Sequence, residues 1–189
     1  HIETMQTLVS IRHSIDTNDE FYDKENEYMD EISPILFGFT NDFYKALVNS
    51  KFKDELIKKY GKLLFDLAEN TLKVFSNEII PDAQEENRLS SKYSKLIASA
   101  KIDFDGKELN LSQMVPYTQS KDRNVRIEAA KKVAQFFAEN QEEFDNIYDS
   151  LVKVRTKMAQ KMGYKNYVEF GYKQLSRLEY DAKMVEGYR

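Results

Sequence analysis

Apolar residues recur three or four positions apart along almost the whole chain, and in one short stretch they alternate instead. The first spacing is that of a helix face and the second that of a strand. Met5, Leu8, Ile11 and Ile15 form the apolar stripe of a helix predicted over 2–15. Thr17 with Glu20 three residues on reads as a capping box for the next helix. That helix carries Phe21, Tyr22, Tyr28 and Ile32 to Ser33-Pro34, where the proline either starts a new helix or kinks one long one. Ile35, Phe39, Phe43, Ala46 and Leu47 continue the face to Val48. A short helix from Phe52 to Tyr60 stops at Gly61, and another runs from Leu64 to Phe75.

Over 79–100, Ile80, Ala83, Leu89, Tyr93, Leu96, Ile97 and Ala100 keep a helical period. Ile102, Phe104, Leu109 and Leu111 then alternate with Asp103, Asp105, Glu108 and Asn110 across an Asp105-Gly106 turn. A lone hairpin is marginal and must lie against helices. Beyond it, Ser112 is expected to cap a short helix broken near Pro116, and 120–122 to start another in which Val125, Ala129, Val133, Phe136 and Phe137 face inward. After a turn around Asn140, a stripe from Phe144 through Ile147, Leu151, Val154 and Met158 to Met162 ends at Gly163. Asn166 caps a helix running to about Gln174, and Asp181 opens a last one. The fold class expected is all-α, a multi-helix array with one short β-hairpin near 101–111. The expected organisation is a single helical lobe over 1–189, with helical groups at 1–100 and 112–189 on either side of the hairpin.

Composition narrows the functions available. The chain has 189 residues, 41% of them apolar, enough for a real core. Its 28 Lys and Arg against 32 Asp and Glu give a net charge of −4 without single-sign blocks, which argues against a nucleic-acid partner. Cysteine is absent, removing thiol catalysis and thiolate metal sites. No apolar run approaches the roughly 20 residues of a membrane span, and no signal-peptide pattern opens the chain, so a cytoplasmic protein is expected. Both ends fall inside predicted helices, from His1 without a methionine to Arg189 in the manner of a trypsin-like cut, and the chain reads as a fragment.

Candidate chemistry is sparse. His1 and His13 are the two imidazoles, and His13 has Asp16 three residues on, short of the three or four ligands zinc takes. A hydrogen-bonded or solvated His13 is the expectation. Glu85-Glu86 and Glu142-Glu143 lie on charged faces without histidine nearby, and neither a Glu-x-x-His pair nor a phosphate-binding glycine motif occurs. Arg123 and Arg126 stand three apart in a first turn and Arg155 on a later helix; salt-bridging or solvated arginines are the ordinary reading.

Four segments, IRHSIDTNDEFYDKENEYMDE (11–31), LIASAKIDFDGKELNL (96–111), SKDRNVRIEAA (120–130) and the block from 148 to 181 with its RxxxAxxxGYxNYxEFGY run from Arg155 to Tyr172, resemble one family. In that order they are similar to the N-terminal half of oligoendopeptidase F-type enzymes, in the thimet oligopeptidase superfamily of zinc metallopeptidases. The resemblance implies the N-terminal lobe of a neurolysin/thimet oligopeptidase-like fold, narrowing a channel that admits short peptides. It implies oligopeptide substrates, zinc in the parent enzyme, and the remaining catalytic half of the same polypeptide as partner. Family members hold zinc by H-E-x-x-H and a later Glu, the first Glu activating water. That motif occurs nowhere in 1–189. The resemblance therefore places no catalytic, cofactor-binding or metal residue on this chain, and implies a piece inactive alone. An alternative reading is a free-standing helical scaffold that binds a partner; an autonomous metal enzyme built on His13 is a third. Loss of a second lobe would leave an apolar face uncovered.

Overall fold

The computed structural model describes all of residues 1–189. The chain order is α1 (Ile2–Ile15), α2 (Glu20–Val48), α3 (Lys53–Tyr60), α4 (Lys62–Leu72), a 3-10 turn (Asn77–Ile79) and α5 (Ile80–Ala98). Then come β1 (Ile102–Phe104), β2 (Lys107–Leu109), α6 (Leu111–Thr118), α7 (Arg123–Glu139), α8 (Gln141–Lys161), α9 (Tyr167–Gln174) and α10 (Ala182–Tyr188). The fold is all-α with one antiparallel hairpin, as the spacing predicts. Two compact units form: His1–Asn26 with Arg88–Leu151, and Glu27–Asn87 with Val152–Arg189. No helix is long and apolar enough to cross a membrane.

The first unit is built on the hairpin. Ile102 pairs with Leu109 across the strands, so the alternating apolar side chains fall on one face. That face is buried with Met114 of α6 and with Ala129 and Phe136 of α7. Asp105 and Gly106 both have positive φ, 53° and 70°, the geometry of a type I′ turn matched to strand twist. The residue that caps α6 is Asn110, not Ser112: Asn110 Oδ1 accepts from Gln113 N and Gln113 Oε1 accepts from Asn110 N, each at 2.9 Å. Pro116 does not break α6, which continues to Thr118.

One further expectation fails in this unit. Asp19 caps α2 in place of Thr17, its Oδ1 accepting from Phe21 N at 3.0 Å and Tyr22 N at 3.1 Å. The stripe Met5, Leu8, Ile11, Ile15 is exposed; α1 buries Val9 and His13 instead. The helix carries apolar residues on two faces, and periodicity cannot tell which one packs.

The second unit has a core of Val74, Phe75, Ile79, Met158, Ala159 and Phe170, with Tyr164 and Tyr167 packed on it. Fully burying a side chain such as Phe170 is worth about 1.5–3 kcal/mol. α8 ends in a Schellman turn: Tyr164 N donates to Ala159 O at 2.9 Å and Gly163 N to Gln160 O at 3.0 Å. That turn needs a left-handed residue, and Gly163 supplies it at φ 82°.

Pro34 neither starts nor ends a helix; α2 passes through it unbroken. A proline lacks the N–H that would bond the carbonyl four residues back, here Asp30. Asn87 Nδ2 on α5 donates to that carbonyl at 2.9 Å, and Gln84 Nε2 donates to Glu31 O at 2.7 Å. The proline thus frees the Asp30 oxygen that Asn87 of α5 uses.

Candidate functional site

The polar chemistry of the second unit gathers where α5 faces α8. Lys157 and Lys161 lie four apart on α8, hence on one face, and both reach Asp82 of α5. Lys157 Nζ is 2.7 Å from Asp82 Oδ1, and Lys161 Nζ also meets Glu78 O at 3.2 Å. Asp82 is only 4% exposed. Burial works to raise its pKa, but hydrogen bonds from Lys157 and Lys161, with their charges, hold it below the usual carboxylate value.

One helical turn along α5, Glu86 Oε1 accepts from Arg155 Nε at 2.6 Å, and the guanidinium lies 5.7 Å from the Tyr167 ring centroid. Burial would lower the pKa of Arg155, yet the Glu86 hydrogen bond and charge raise it. Burial pushes the Tyr167 phenol up. Beside this pair is a cavity of about 410 Å³, lined by Ser33, Phe37, Asn70, Thr71, Glu86 and Asn87 among others. Asn70 is buried and donates to Lys173 O at 2.7 Å, tying α4 to α9. A second, larger cleft of about 820 Å³ lies between α9 and α10. There Arg177 stacks on Tyr172 at 4.5 Å and on Tyr180 at 5.7 Å. These groups can bind and orient a polar chain; they include no imidazole and no thiol.

The residues singled out in the sequence are scattered. His13 is buried in the first unit and its partner is Asp23, Nε2 to Oδ1 at 3.2 Å, rather than Asp16. Asp16 Oδ1 instead accepts from Asn18 N at 2.9 Å. Lys95 also pairs with Asp23, and its hydrogen bond, with a smaller one from His13, lowers the Asp23 pKa against the opposing effect of burial. Zinc does not fit here: His13 and Asp23 supply two donors, the carboxylate is shared with an ammonium, and no group of three or more His, Asp or Glu gathers anywhere. Arg126 Nη1 donates to Ser120 O at 2.6 Å and Lys121 O at 3.0 Å, closing the entry to α7, while Arg123 is exposed. Glu143 pairs with Lys92. Of the candidates, Glu86 and Arg155 alone meet. Asp82 was missed in the sequence, although Lys157 and Lys161 at a four-residue spacing signalled a face awaiting a carboxylate.

Residues 1–75 match the family model described as the peptidase M3 N-terminal domain. A structure described as a candidate oligoendopeptidase F is 50% identical with a TM-score of 0.95, over 98% of this chain and 33% of its own. A second such protein, from Bacillus anthracis str. Ames, is 51% identical with a TM-score of 0.94, over 98% of this chain and 34% of its own. PZ peptidase A, solved with an inhibitor, is 52% identical with a TM-score of 0.95, over 98% of this chain and 33% of its own. No curated protein matches. The chain spans about a third of the length of the solved structures it matches. Half of its residues and the course of its backbone are shared with them, so the chain belongs to the oligoendopeptidase F-like branch of the M3 peptidases and corresponds to the N-terminal part of such a protein.

Proposed function

We propose that these 189 residues act as one substrate-channel lobe of a cytoplasmic zinc-dependent endopeptidase that hydrolyses oligopeptides, with the zinc and its ligands on the remaining polypeptide. The observation that carries this is the identity of about half over 98% of the chain, joined to a third of the relatives' length. The donor set of the chain supports the division of labour, since its two histidines are His1 and a His13 committed to Asp23. No catalytic or metal residue is assigned to this chain. Its contribution is shape: the α5–α8 ion pairs hold the helices of the second unit in register, and rigid walls select for short, flexible peptides.

The test compares this chain with the protein of family length on an internally quenched oligopeptide. The longer protein cleaves it, stops on chelation and recovers with zinc; the 189-residue chain gives no turnover and retains no stoichiometric zinc. Turnover by the short chain, or chelator-resistant cleavage by the long one, overturns the proposal.

A further inference from the structure

In the second unit, α2 is apolar on two opposite sides. One side packs: Pro34 and Asn41 are buried, and Gly38 faces the Phe75 ring, where an added Cβ would make ordinary van der Waals contact at 3.8 Å. The other side carries Tyr28, Ile35, Phe39 and Phe43, which are 55%, 47%, 68% and 59% exposed. At 3.6 residues per turn these four fall within an arc of about 80°, so they form one stripe. Single exposed apolar residues are ordinary, whereas an aligned aromatic row marks an interface.

We infer that this stripe is the seat of a helix from the remaining two thirds of the family-length polypeptide. Three observations commit it to that occupant. The chain accounts for only 33–34% of the relatives' length, so most of the apolar surface it would meet lies in the same polypeptide. Ile35, Phe39 and Phe43 repeat every four residues, a ridge shaped to enter the groove of another helix rather than a sheet face. Glu31 and Asp42 flank the stripe on one edge; Asp42 is paired with Lys45 at 3.5 Å, and exposed Glu31 fits a facing helix with a Lys or Arg on that edge. The inference rests on the chain being part of a longer M3-type protein, and it names the face that joins the parts.

The absence of cysteine from these 189 residues makes a direct test available, and mass mapping separates each new thiol from any in the rest of the longer protein. Phe39→Cys and Tyr28→Cys are placed separately in this chain and in the family-length protein, and maleimide labelling at each position is followed by peptide mass mapping. In this chain both thiols react at about the rate of the urea-unfolded protein; in the long protein they react at least about 100-fold more slowly. Equal, fast labelling in both overturns the inference. So does protection in the short chain alone that grows with concentration, which would make the occupant a second copy. Fast labelling of the long protein that added oligopeptide suppresses also overturns it, making the stripe a substrate wall. Hydroxyl-radical footprinting of unsubstituted Phe39 and Phe43 gives the same readout without a variant. Peptide cleavage by the same sample is scored separately, so a protected stripe in a protein that cuts nothing sinks the functional proposal and leaves this one standing.

Discussion

Replacing Asp82 by asparagine keeps the shape of the side chain and removes the charge that two lysines share. Hydrogen bonds to charged groups contribute about 1.5–3 kcal/mol each when sheltered. Lys157 is 62% exposed at its side chain and its share is screened to well under about 1 kcal/mol. Lys161 is 27% exposed and retains most of its share. Because the amide still accepts one hydrogen bond, the expected loss at neutral pH is about 2 kcal/mol. In urea, followed by far-UV circular dichroism, that moves the midpoint down by close to 1 M with the slope unchanged. The pH dependence carries the sign. The folded-state pKa of Asp82 is lowered, so its stabilisation is present above the unfolded carboxylate value of about 3.9 and is lost as pH falls through the folded value. Wild type and Asp82→Asn should therefore differ most at neutral pH and converge below about pH 4. A loss under about 0.5 kcal/mol, or a gap that persists undiminished in acid, would refute the reasoning.

Lys161→Met should cost more than Lys157→Met in the same urea titration, because its pair with Asp82 is the more sheltered. Phe170→Ala opens a cavity in the core of the second unit and should cost about 3–5 kcal/mol, read by thermal unfolding. Gly163→Ala meets open space but must hold φ 82°, so a loss of about 1 kcal/mol is expected from backbone strain alone. Lys95→Met removes the largest influence lowering the Asp23 pKa; NMR titration should find that carboxyl moved up toward its ordinary value, and an unmoved titration would contradict the assigned cause.

Much of the fold was legible because helix and strand periods differ and because turn residues announce themselves. Asp105-Gly106 and Gly163 stand where the backbone requires positive φ. What escaped was choice among equals. Thr17 and Asp19 are both good caps, and only the backbone path decides that Asp19 reaches two free amides. Ser112 and Asn110 are the same case two residues apart. His13 found a partner ten residues on, across a turn, because α2 doubles back beside it, whereas spacing along one helix favoured Asp16. The Asp82–Lys161 pair joins residues 79 apart in sequence and has no local signature. The stripes on α1 and α2 show the same limit from another side: period identifies an apolar face and leaves open what covers it.

The joint at Pro34 has a lasting consequence for how this sequence can vary. Asn87 and Gln84 grip main-chain oxygens of residues 30 and 31, so this grip makes no demand on the side chains there, and Asp30 or Glu31 could be exchanged without loosening it. The part that matters is the imino acid itself, which leaves the Asp30 oxygen without a main-chain donor. An alanine at 34 would return that amide, and Asn87 would then share the oxygen instead of holding it alone, with no acidic residue touched.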